Sequence, residues 1–332
     1  MPLTRRSALA AGLVPLLSQG ARADGPYPDR AITLVAPFAA GGAADLAART
    51  LAAHAPRVMA RLLGRPQEPA IVVENRTGAS GAVGSYHVHR ARPDGQTLLL
   101  ARVGSAAIVP AFDPRAPYGW DGFTMLGLLD ENPYVLCVRA DSPWASAAAL
   151  LTAIREAPGR LNFATSGPQT ILDLGIRHML VQAGLAHDAA VAIPFRGGGE
   201  ALTALLGGQV QFVGNNLSEM SGALAGGQVR ALAVTGDAAL PGVPSAAAAG
   251  VPALADMAGW DALFGPPDMP EAVTSLWVRV LAALAEDAGW LAATRRLGSV
   301  PRILSPAATR AHVAAQVELY RGLGRRLGLV PA

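Results

Sequence analysis

Near its amino terminus the chain reads Ala31-Ile-Thr-Leu-Val-Ala-Pro-Phe-Ala-Ala-Gly-Gly-Ala-Ala-Asp45. The apolar, β-branched run from Ile32 to Ala36 is typical of a buried parallel strand. Gly41 and Gly42 allow a tight turn, and a helical pattern begins directly after them. The segment therefore predicts a strand, a glycine loop and a helix whose first turn presents unpaired N–H groups, which is a natural site for an anion.

Residues 1–23 have the pattern of an export signal. Arg5 and Arg6 precede an apolar run over residues 8–17, and Ala21-Arg-Ala23 is a cleavage site of the A-x-A type. The apolar run is too short to span a bilayer, so we predict cleavage near Ala23 and no membrane anchor. The paired arginines favour the twin-arginine export route. The predicted location is the periplasm.

Charge and composition argue against a nucleic-acid partner. The whole chain has 27 basic and 24 acidic residues, and no lysine. The signal contains three arginines and no acidic residue, so 27 minus 3 leaves 24 basic residues against 24 acidic ones in the mature chain. The mature protein is formally neutral, and nothing in it predicts a basic binding surface.

The cysteine and histidine patterns predict neither a disulfide nor a metal site. Cys137 is the single cysteine and lies in the apolar run 134–138, which is typical of a buried, inert thiol. The six histidines show no zinc-type spacing. We therefore expect no metal and no cofactor.

The mature length of about 300 residues exceeds what one core usually holds, so two lobes are expected. Strands and helices alternate without a linker, which favours α/β lobes with mixed, mainly parallel sheets. A kink or division of the first helix is predicted at Pro56. The predicted strands are 32–36, 70–73, 97–101, 134–138, 161–164, 190–194, 212–213 and 231–235. The predicted helices are 44–63, 146–156, 170–183, 200–206, 270–285 and 306–323.

A second glycine loop follows the second predicted strand. Gly78, Gly81 and Gly84 recur every third residue, which is not the G-x-G-x-x-G spacing of a dinucleotide fold. Such a loop on its own could be a tight turn that binds nothing. Two such loops in neighbouring strand-helix units favour a shared anion site at the carboxyl edge of one sheet.

Several segments of the chain, read in order, resemble Bug/TctC-type solute receptors, the extracytoplasmic binding proteins of tripartite tricarboxylate transporters. The resemblance covers nearly the whole mature chain. It implies a two-lobed periplasmic-binding-protein fold of the type II (Venus-flytrap) class, with residues 24–128 and 252–332 in the first lobe and 129–251 in the second. The segments that carry it are Tyr27-Pro-Asp-Arg-Ala-Ile-Thr-Leu-Val-Ala-Pro-Phe38, Val73-Glu-Asn-Arg-Thr-Gly-Ala-Ser-Gly81, Arg92-Pro-Asp-Gly-Gln-Thr-Leu98, Ile193-Pro-Phe-Arg-Gly-Gly198 and Leu224-Ala-Gly-Gly-Gln-Val-Arg-Ala-Leu-Ala-Val-Thr235.

In that family, main-chain groups of two first-lobe loops hold the ligand carboxylate, often through ordered water. The resemblance assigns Asp45 to the support of its own helix start, where it accepts a bond from a loop N–H or water. A purely structural cap is the alternative. The matching ligand-binding positions are Phe38, Ala39, Ala40, Gly41 and Gly42 with Asp45, and Gly78, Ala79, Ser80 and Gly81.

The second lobe is expected to distinguish between ligands, through Thr165, Ser166, Gln169, Thr170, Asn215 and Asn216. Relatives usually have glycine where Gln169 stands, histidine where Asp173 stands and aspartate where Asn215 stands. Gln169 should narrow the pocket and add hydrogen bonds in both directions. Asn215 removes a negative charge, which disfavours a ligand ammonium group and makes a second anion more acceptable.

Arg102 occupies a position where relatives more often have a small polar residue. If it faces inward, it can clamp a second carboxylate bidentately. If it faces outward, it is a solvated arginine. The sequence leaves both orientations open.

Together these features predict a monomeric receptor, not an enzyme, that captures a small mono-, di- or tricarboxylate between its lobes and delivers it to integral membrane transporter subunits. The chain has no G-x-S-x-G elbow, no Cys/His nucleophile arrangement and no Walker lysine. Two alternatives stay open. One is a receptor of the same fold that signals to a membrane partner, and the less favoured one is an exported hydrolase that uses Ser80 or Ser166.

Overall fold

The computed structural model describes residues 27–236 and 240–329, so the predicted signal at residues 1–23 lies outside the described residues. The strands are β1 (Ile32–Ala36), β2 (Ile71–Asn75), β3 (Thr97–Arg102), β4 (Thr124–Arg139), β5 (Asn162–Thr165), β6 (Val191–Pro194), β7 (Phe212–Asn216), β8 (Val229–Val234), β9 (Ala258–Gly265) and β10 (Val300–Leu304). The helices are α1 (Ala43–Leu63), α2 (Ala82–His89), α3 (Val109–Phe112), α4 (Ala147–Glu156), α5 (Ile171–Gln182), α6 (Gly198–Leu206), α7 (Leu217–Ala225), α8 (Glu271–Leu284), α9 (Ala288–Arg296) and α10 (Pro306–Arg326).

The strands form two sheets that share β4. In the first sheet the order is β2-β1-β3-β9-β4, with β1 parallel to β2 and β3, and β9 antiparallel to β3. β10 adds to β4 in antiparallel fashion. Since the carboxyl ends of β1, β2 and β3 meet at one edge, the loops that follow these strands lie side by side.

The second sheet continues from the far half of β4 in the order β4-β7-β5-β6, with β8 also on β4. β5 is parallel to β6 and β7. Residues 124–133 of β4 pair with β9, and residues 134–139 pair with β7 and β8. The chain thus crosses from one α/β lobe to the other within a single strand, and it returns to the first sheet at β9.

Each lobe has apolar packing on its sheet. In the first lobe, α1 and α8 cover the sheet with buried side chains such as Leu51 and Trp277. Burying side chains of this size contributes about 1.5–3 kcal/mol each. In the second lobe, the ring of Tyr134 packs where Gly175 and Gly214 leave room for it, since a Cβ at either position would collide with the tyrosine.

Helix α1 is one continuous helix through Pro56, so the predicted division at that residue is not observed. Ala55 and Pro56 are both buried against the core. The stabilisation from packing this face of the helix offsets the loss of the one backbone hydrogen bond that proline removes.

Cys137 is fully buried within β4, and burial raises the pKa of its thiol. The prediction of a buried cysteine is confirmed. None of the helices in the described ranges combines the length and the apolar character needed to cross a bilayer.

Candidate functional site

A cavity of about 100 Å³, called the cleft below, lies where the two lobes meet. The first lobe contributes the first glycine loop (residues 38–42), the start of α1, and Arg102 with the two residues after it. The second lobe contributes Ser166 and the first turns of α5, α6 and α7. The predicted site residues that line the cleft are Phe38, Ala39, Ala40, Gly42, Arg102, Ser166, Thr170 and Asn216.

Four helices, α1, α5, α6 and α7, begin at the cleft, and none of them has a side-chain hydrogen bond from its N-cap residue. Helices α2, α3 and α8 also lack such a bond, whereas the N-cap residues of α4, α9 and α10, which are Ser146, Asp287 and Ser305, each accept a bond from a first-turn amide. At the cleft the first-turn N–H groups have no acceptor on the N-cap side chain, and each helix end carries a partial positive charge. This arrangement favours an anion between the lobes.

The first glycine loop is held by its own backbone and by Asp45. Gly41 has a φ of 78°, which favours glycine, and its amide donates to Asp45 Oδ2 at 2.9 Å. The Gly42 amide donates to the carbonyl of Ala39 at 3.2 Å. The next amide, that of Ala43, donates across the lobe boundary to Glu219 Oε1 at 2.9 Å.

Asp45 supports this loop from within α1. It is 3% exposed, and its carboxylate accepts bonds from the Arg49 guanidinium at 2.9 Å and from Asn75 Nδ2 at 3.1 Å. Burial opposes the charge, but the bonds from Arg49, the Gly41 amide and Asn75 outweigh it and lower the pKa of Asp45. The predicted bond from a loop N–H to Asp45 is confirmed.

Asn75 is a supporting residue that the sequence reasoning missed. Its Nδ2 also donates to the carbonyl of Phe38 at 3.1 Å, so it ties the end of β2 to the first glycine loop. A polar residue at the carboxyl end of a strand next to β1 was the available signal, since parallel strands end at the same edge.

The second glycine loop, residues 78–81, has four successive residues with positive φ, including Ala79 at 46° and Ser80 at 53°. Such angles cost about 1–3 kcal/mol for residues other than glycine. The loop packs on the first one, because a Cβ on Gly81 would lie 3.0 Å from the Phe38 ring.

The second glycine loop does not open into the cleft in this conformation. Ala79, Ser80 and Gln169 instead line a separate, more open cavity of about 480 Å³. Gly78 and Gly81 line neither cavity. The two predicted loops are therefore in contact but face different spaces, and a ligand role for residues 78–81 stays a prediction.

In the second lobe, two of the three predicted hydroxyls are used within their own loop. Thr165 Oγ1 donates to the carbonyl of Gly167 at 2.7 Å and lies 3.2 Å from Thr170 Oγ1, which also bonds that carbonyl. Ser166 lines the cleft with a side chain that makes no such bond among the described residues. Ser166 is therefore the available hydroxyl of this loop.

Gln169 and Asp173 repeat in the second lobe the arrangement found around Asp45. The Gln169 amide donates to Asp173 Oδ2 at 3.0 Å, and Arg177 Nε donates to Asp173 Oδ1 at 2.8 Å. Gln169 has a φ of 56°, so this residue adopts the left-handed conformation where relatives are expected to have glycine. Asp173 thus fixes the entrance to α5 as Asp45 fixes the entrance to α1.

Asn215 and Asn216 occupy different layers. Asn215 is fully buried behind the wall of the cleft, where its Nδ2 donates to the carbonyl of Gly198 at 3.1 Å. Asn216 lines the cleft, and its Nδ2 lies 3.4 Å from Glu219 Oε2. Asn216 Oδ1 is buried and has no hydrogen-bond partner within residues 27–236 and 240–329.

Arg102 faces inward and is 5% exposed. Its Nη1 lies 3.4 Å from Asp261 Oδ1, close enough for an ion pair although the geometry is not that of a hydrogen bond. The register of β4 and β9 sets Asp130 opposite Asp261. Burial, followed by the charge of Asp261, raises the pKa of Asp130, and burial, opposed by the charge of Arg102, raises the pKa of Asp261, so the pair favours a shared proton beside Arg102.

Glu219 is one of the cleft residues that the sequence reasoning missed, and it is the one that contacts the opposite lobe through its side chain. It lies in the first turn of α7, and its carboxylate reaches the first turn of α1 in the other lobe. A side chain at Gly198 would collide with Glu219 Oε2, so that glycine makes room for the contact. The sequence signal was an acid in the first turn of a helix, which by itself indicates only a local cap.

In the described part of the chain, no group of three or more histidine, cysteine, aspartate or glutamate side chains is placed to hold a metal ion. The cleft offers backbone groups, the hydroxyl of Ser166, the amide of Asn216, one paired guanidinium and the carboxylates of Glu200 and Glu219.

Known proteins share this fold and most of this sequence pattern. Residues 51–284 match the family described as "Tripartite tricarboxylate transporter family receptor". The UPF0065 protein in the tcbD-tcbE intergenic region of Pseudomonas sp. (strain P51) is 34% identical over 276 residues, which cover 81% of this chain and 78% of that protein.

Three solved structures are similar along nearly their whole length. The periplasmic binding protein BugD is 27% identical with a TM-score of 0.82, covering 92% of this chain and 99% of its own. MatC from Rhodopseudomonas palustris with bound malate is 27% identical with a TM-score of 0.79, and the match covers 90% of this chain and 99% of MatC. R. palustris Rpa4515 with adipate is 26% identical with a TM-score of 0.83, and the match covers 92% of this chain and 100% of Rpa4515.

The match in sequence and the match in architecture agree, and both confirm the predicted two-lobed periplasmic-binding-protein fold. The fold is that of solute-binding receptors, with the cleft between the lobes. The chain belongs to the family of tripartite tricarboxylate transporter receptors.

Proposed function

We propose that this protein is a periplasmic receptor that captures a small organic acid between its lobes through a ligand carboxylate. The observation that carries the proposal is the convergence of four helix starts on the cleft without N-cap side chains. The combined dipoles of these helices favour a negative group. One first-turn amide, that of Ala43, already bonds a carboxylate oxygen.

The proposed ligand is a mono-, di- or tricarboxylate of modest size. MatC and Rpa4515 are similar to this chain and hold malate and adipate, respectively. Ser166 and Asn216 can add hydrogen bonds from the second lobe, and ordered water can bridge the remaining distance.

Binding is proposed to proceed by closure of the lobes. The lobes already touch at the cleft, since a Cβ on Gly199 of the second lobe would lie 4.0 Å from the carbonyl oxygen of Gly41. An acid that first binds the start of α1 gains the contacts of the second lobe only when the lobes close, so it shifts the equilibrium toward the closed form. The closed form is proposed to deliver its ligand to the integral membrane subunits of a tripartite-type transporter.

The experiment is calorimetry of the mature protein, beginning at Asp24, with pairs of ligands that differ only in charge. Malate and adipate are titrated together with malamide and adipamide, and citrate and single-carboxylate acids complete the panel. At least one acid is expected to bind at neutral pH while its neutral amide does not. Binding restricted to neutral or cationic solutes would overturn the proposal.

Two further parts of the account are proposals of the same kind. The export signal at residues 1–23 is proposed to be removed near Ala23, which amino-terminal sequencing of the periplasmic form would establish. The second lobe is proposed to comprise residues 129–251, a division supported by the place within β4 where its pairing changes from β9 to β7 and β8.

A further inference from the structure

We propose that Glu219 is a built-in competitor of the ligand, a carboxylate of the second lobe that occupies the anion position at the start of α1 and holds the cleft closed until a ligand carboxylate displaces it. The inference rests on the proposed function, because it assumes that the start of α1 is where a ligand carboxylate binds. It adds a residue that sets both the affinity and the resting conformation of the receptor.

The first argument is that Glu219 departs from a pattern shared by the helices around it. Each of the four helices that begin at the cleft has an acid in its first turn. In three of them the carboxylate folds back onto the backbone amide four residues earlier: Asp45 on Gly41 at 2.9 Å, Asp173 on Gln169 at 3.0 Å, and Glu200 on Arg196 at 3.1 Å. Only the acid of α7 reaches into the other lobe, where it accepts from Ala43.

The second argument is that Glu219 and a ligand carboxylate need the same donor. Glu219 Oε1 takes the Ala43 amide at 2.9 Å, which is a typical length for a charge-assisted bond. A second carboxylate at that helix start would share one N–H with Glu219 and would be repelled by it at short range. A ligand acid therefore binds the start of α1 only after Glu219 has left.

The third argument is that Glu219 is held weakly enough to leave. Its second oxygen has only a long contact, 3.4 Å to Asn216 Nδ2. No arginine within the described ranges forms an ion pair with it, and the nearest cation of the cleft, Arg102, is balanced by Asp261. Departure of Glu219 thus breaks one good hydrogen bond and leaves no cation without its partner.

A fourth observation shows that the cleft has unused polar capacity for a ligand. Asn216 is 5% exposed and its Oδ1, which is buried, has no partner within residues 27–236 and 240–329. Nη1 of Arg102 on the first-lobe side is buried as well and makes no hydrogen bond in the described part of the chain. Arg102 Nη1 is a donor suited to a ligand carboxylate, whereas Asn216 Oδ1 is an acceptor suited to a hydroxyl or N–H group of the ligand.

The consequence is a closed conformation that does not depend on ligand. Glu219 joins the lobes in the way a ligand would, and the apparent affinity for ligand is lowered by the fraction of molecules in which Glu219 occupies the site. Removal of the carboxylate is expected to open the empty receptor and to tighten binding of an acid.

The variants are Glu219→Ala, which removes the contact, and Glu219→Gln, which keeps the side-chain length and an oxygen acceptor but removes the charge. The control is Glu156→Gln on α4, which makes the same change of charge at an exposed position outside the cleft. Denaturation curves for each variant establish that it is folded.

The first measurement uses no ligand. Small-angle X-ray scattering of the empty protein is expected to give a larger radius of gyration for Glu219→Ala than for the wild type and Glu156→Gln. Equal radii for all three proteins would overturn the inference. This result does not depend on which solute the receptor binds, so it tests the role of Glu219 separately from the proposed function.

The second measurement is calorimetry with malate and adipate as probes. Both Glu219 variants are expected to bind an acid more tightly than the wild type, by about tenfold, since one charge-assisted hydrogen bond no longer competes. Unchanged or weaker binding by the variants would overturn the inference, and weaker binding would show that Glu219 contacts a donor on the ligand. If no protein binds either acid, the proposed function fails for these probes and the scattering result alone decides the role of Glu219.

Discussion

Single acidic residues fix the entrances to the helices around the cleft. Asp45 and Asp173 each accept a bond from the amide four residues earlier and from the arginine four residues later. The two lobes thus use one local arrangement to hold a loop that is open to the cleft. In each lobe an acidic side chain behind the loop thus satisfies a backbone N–H group of that loop.

Replacement of Asp45 by alanine is expected to lower the free energy of unfolding by about 1–2 kcal/mol, because the Gly41 amide loses its acceptor at a helix start. Urea denaturation at neutral pH measures this loss. Arg49→Ala is the matched control, since Arg49 is largely exposed and its ion pair is worth less than about 1 kcal/mol. A loss for Arg49→Ala as large as that for Asp45→Ala would mean that the ion pair, not the loop amide, is the source of the stability.

Arg102 is expected both to balance the charge of Asp261 and to bind a ligand carboxylate. Arg102→Met is expected to lower the free energy of unfolding by about 3 kcal/mol or more, because it leaves Asp261 buried without its cation. Addition of Asp261→Asn is expected to recover most of that loss. Calorimetry of both variants is expected to show a larger loss of affinity for a dicarboxylate than for its monocarboxylate analogue, and equal losses would restrict Arg102 to its role as the partner of Asp261.

At the scale of elements, β4 and β9 connect the lobes and carry the buried acid pair. Asp130 and Asp261 are opposite one another in the register of these strands, and Asn132 of β4 donates to Ser299 at 2.8 Å. Two buried carboxyl groups share one cation here, so burial and their mutual repulsion favour a proton on the pair. The stability of this crossing between the lobes is therefore expected to depend on pH.

The pH dependence of stability follows from the raised pKa of Asp130, which burial and then the charge of Asp261 produce. From about pH 4 upward the unfolded chain releases this proton while the folded chain keeps it, so stability falls with rising pH by up to about 1.4 kcal/mol per unit. Asp130→Asn removes the requirement for a proton. Thermal unfolding from pH 4 to pH 7 is expected to show a gain in the stability of Asp130→Asn relative to the wild type as pH rises, and a constant difference would contradict the assignment of the proton.

Some elements could be predicted from the sequence and others could not. β1 and α1 were predictable because an apolar strand and an amphipathic helix each carry a local signal, and β1 spans the predicted residues. β9 and β10 were missed. β9 has Asp261 in the middle of a buried strand, and β10 contains Pro301, which weakens a strand signal. Both strands depend on pairing with β4, which is distant in sequence.

In the candidate site, too, residues with a local sequence signal could be predicted and residues that depend on distant contacts could not. The first glycine loop, Asp45 and Ser166 were predictable because their motifs are local. Glu219, Asn75 and Asp261 were not, because each acts on a residue far away in the chain. Sequence patterns record the composition of a loop, but they do not record which first-turn acid reaches across to the opposite lobe.

At the scale of the whole molecule, two lobes joined by shared strands close on a cleft into which four helix ends point. The family, the fold and the ligand-bound neighbours place this architecture among periplasmic solute receptors. An acid that binds only the folded protein also stabilises it, by about 2.7 kcal/mol at a concentration of one hundred times its dissociation constant. The midpoint temperature of thermal unfolding is expected to rise in the presence of the cognate acid and to stay unchanged in the presence of the corresponding amide.

The natural solute of the receptor decides whether the cleft binds a carboxylate. The protein is purified from its native periplasm without added ligand and denatured gently, and the released small molecules are identified by mass spectrometry. We expect a small organic acid with at least one free carboxylate, present in the wild type and enriched in Glu219→Gln. Release of only a neutral or cationic solute would contradict this expectation.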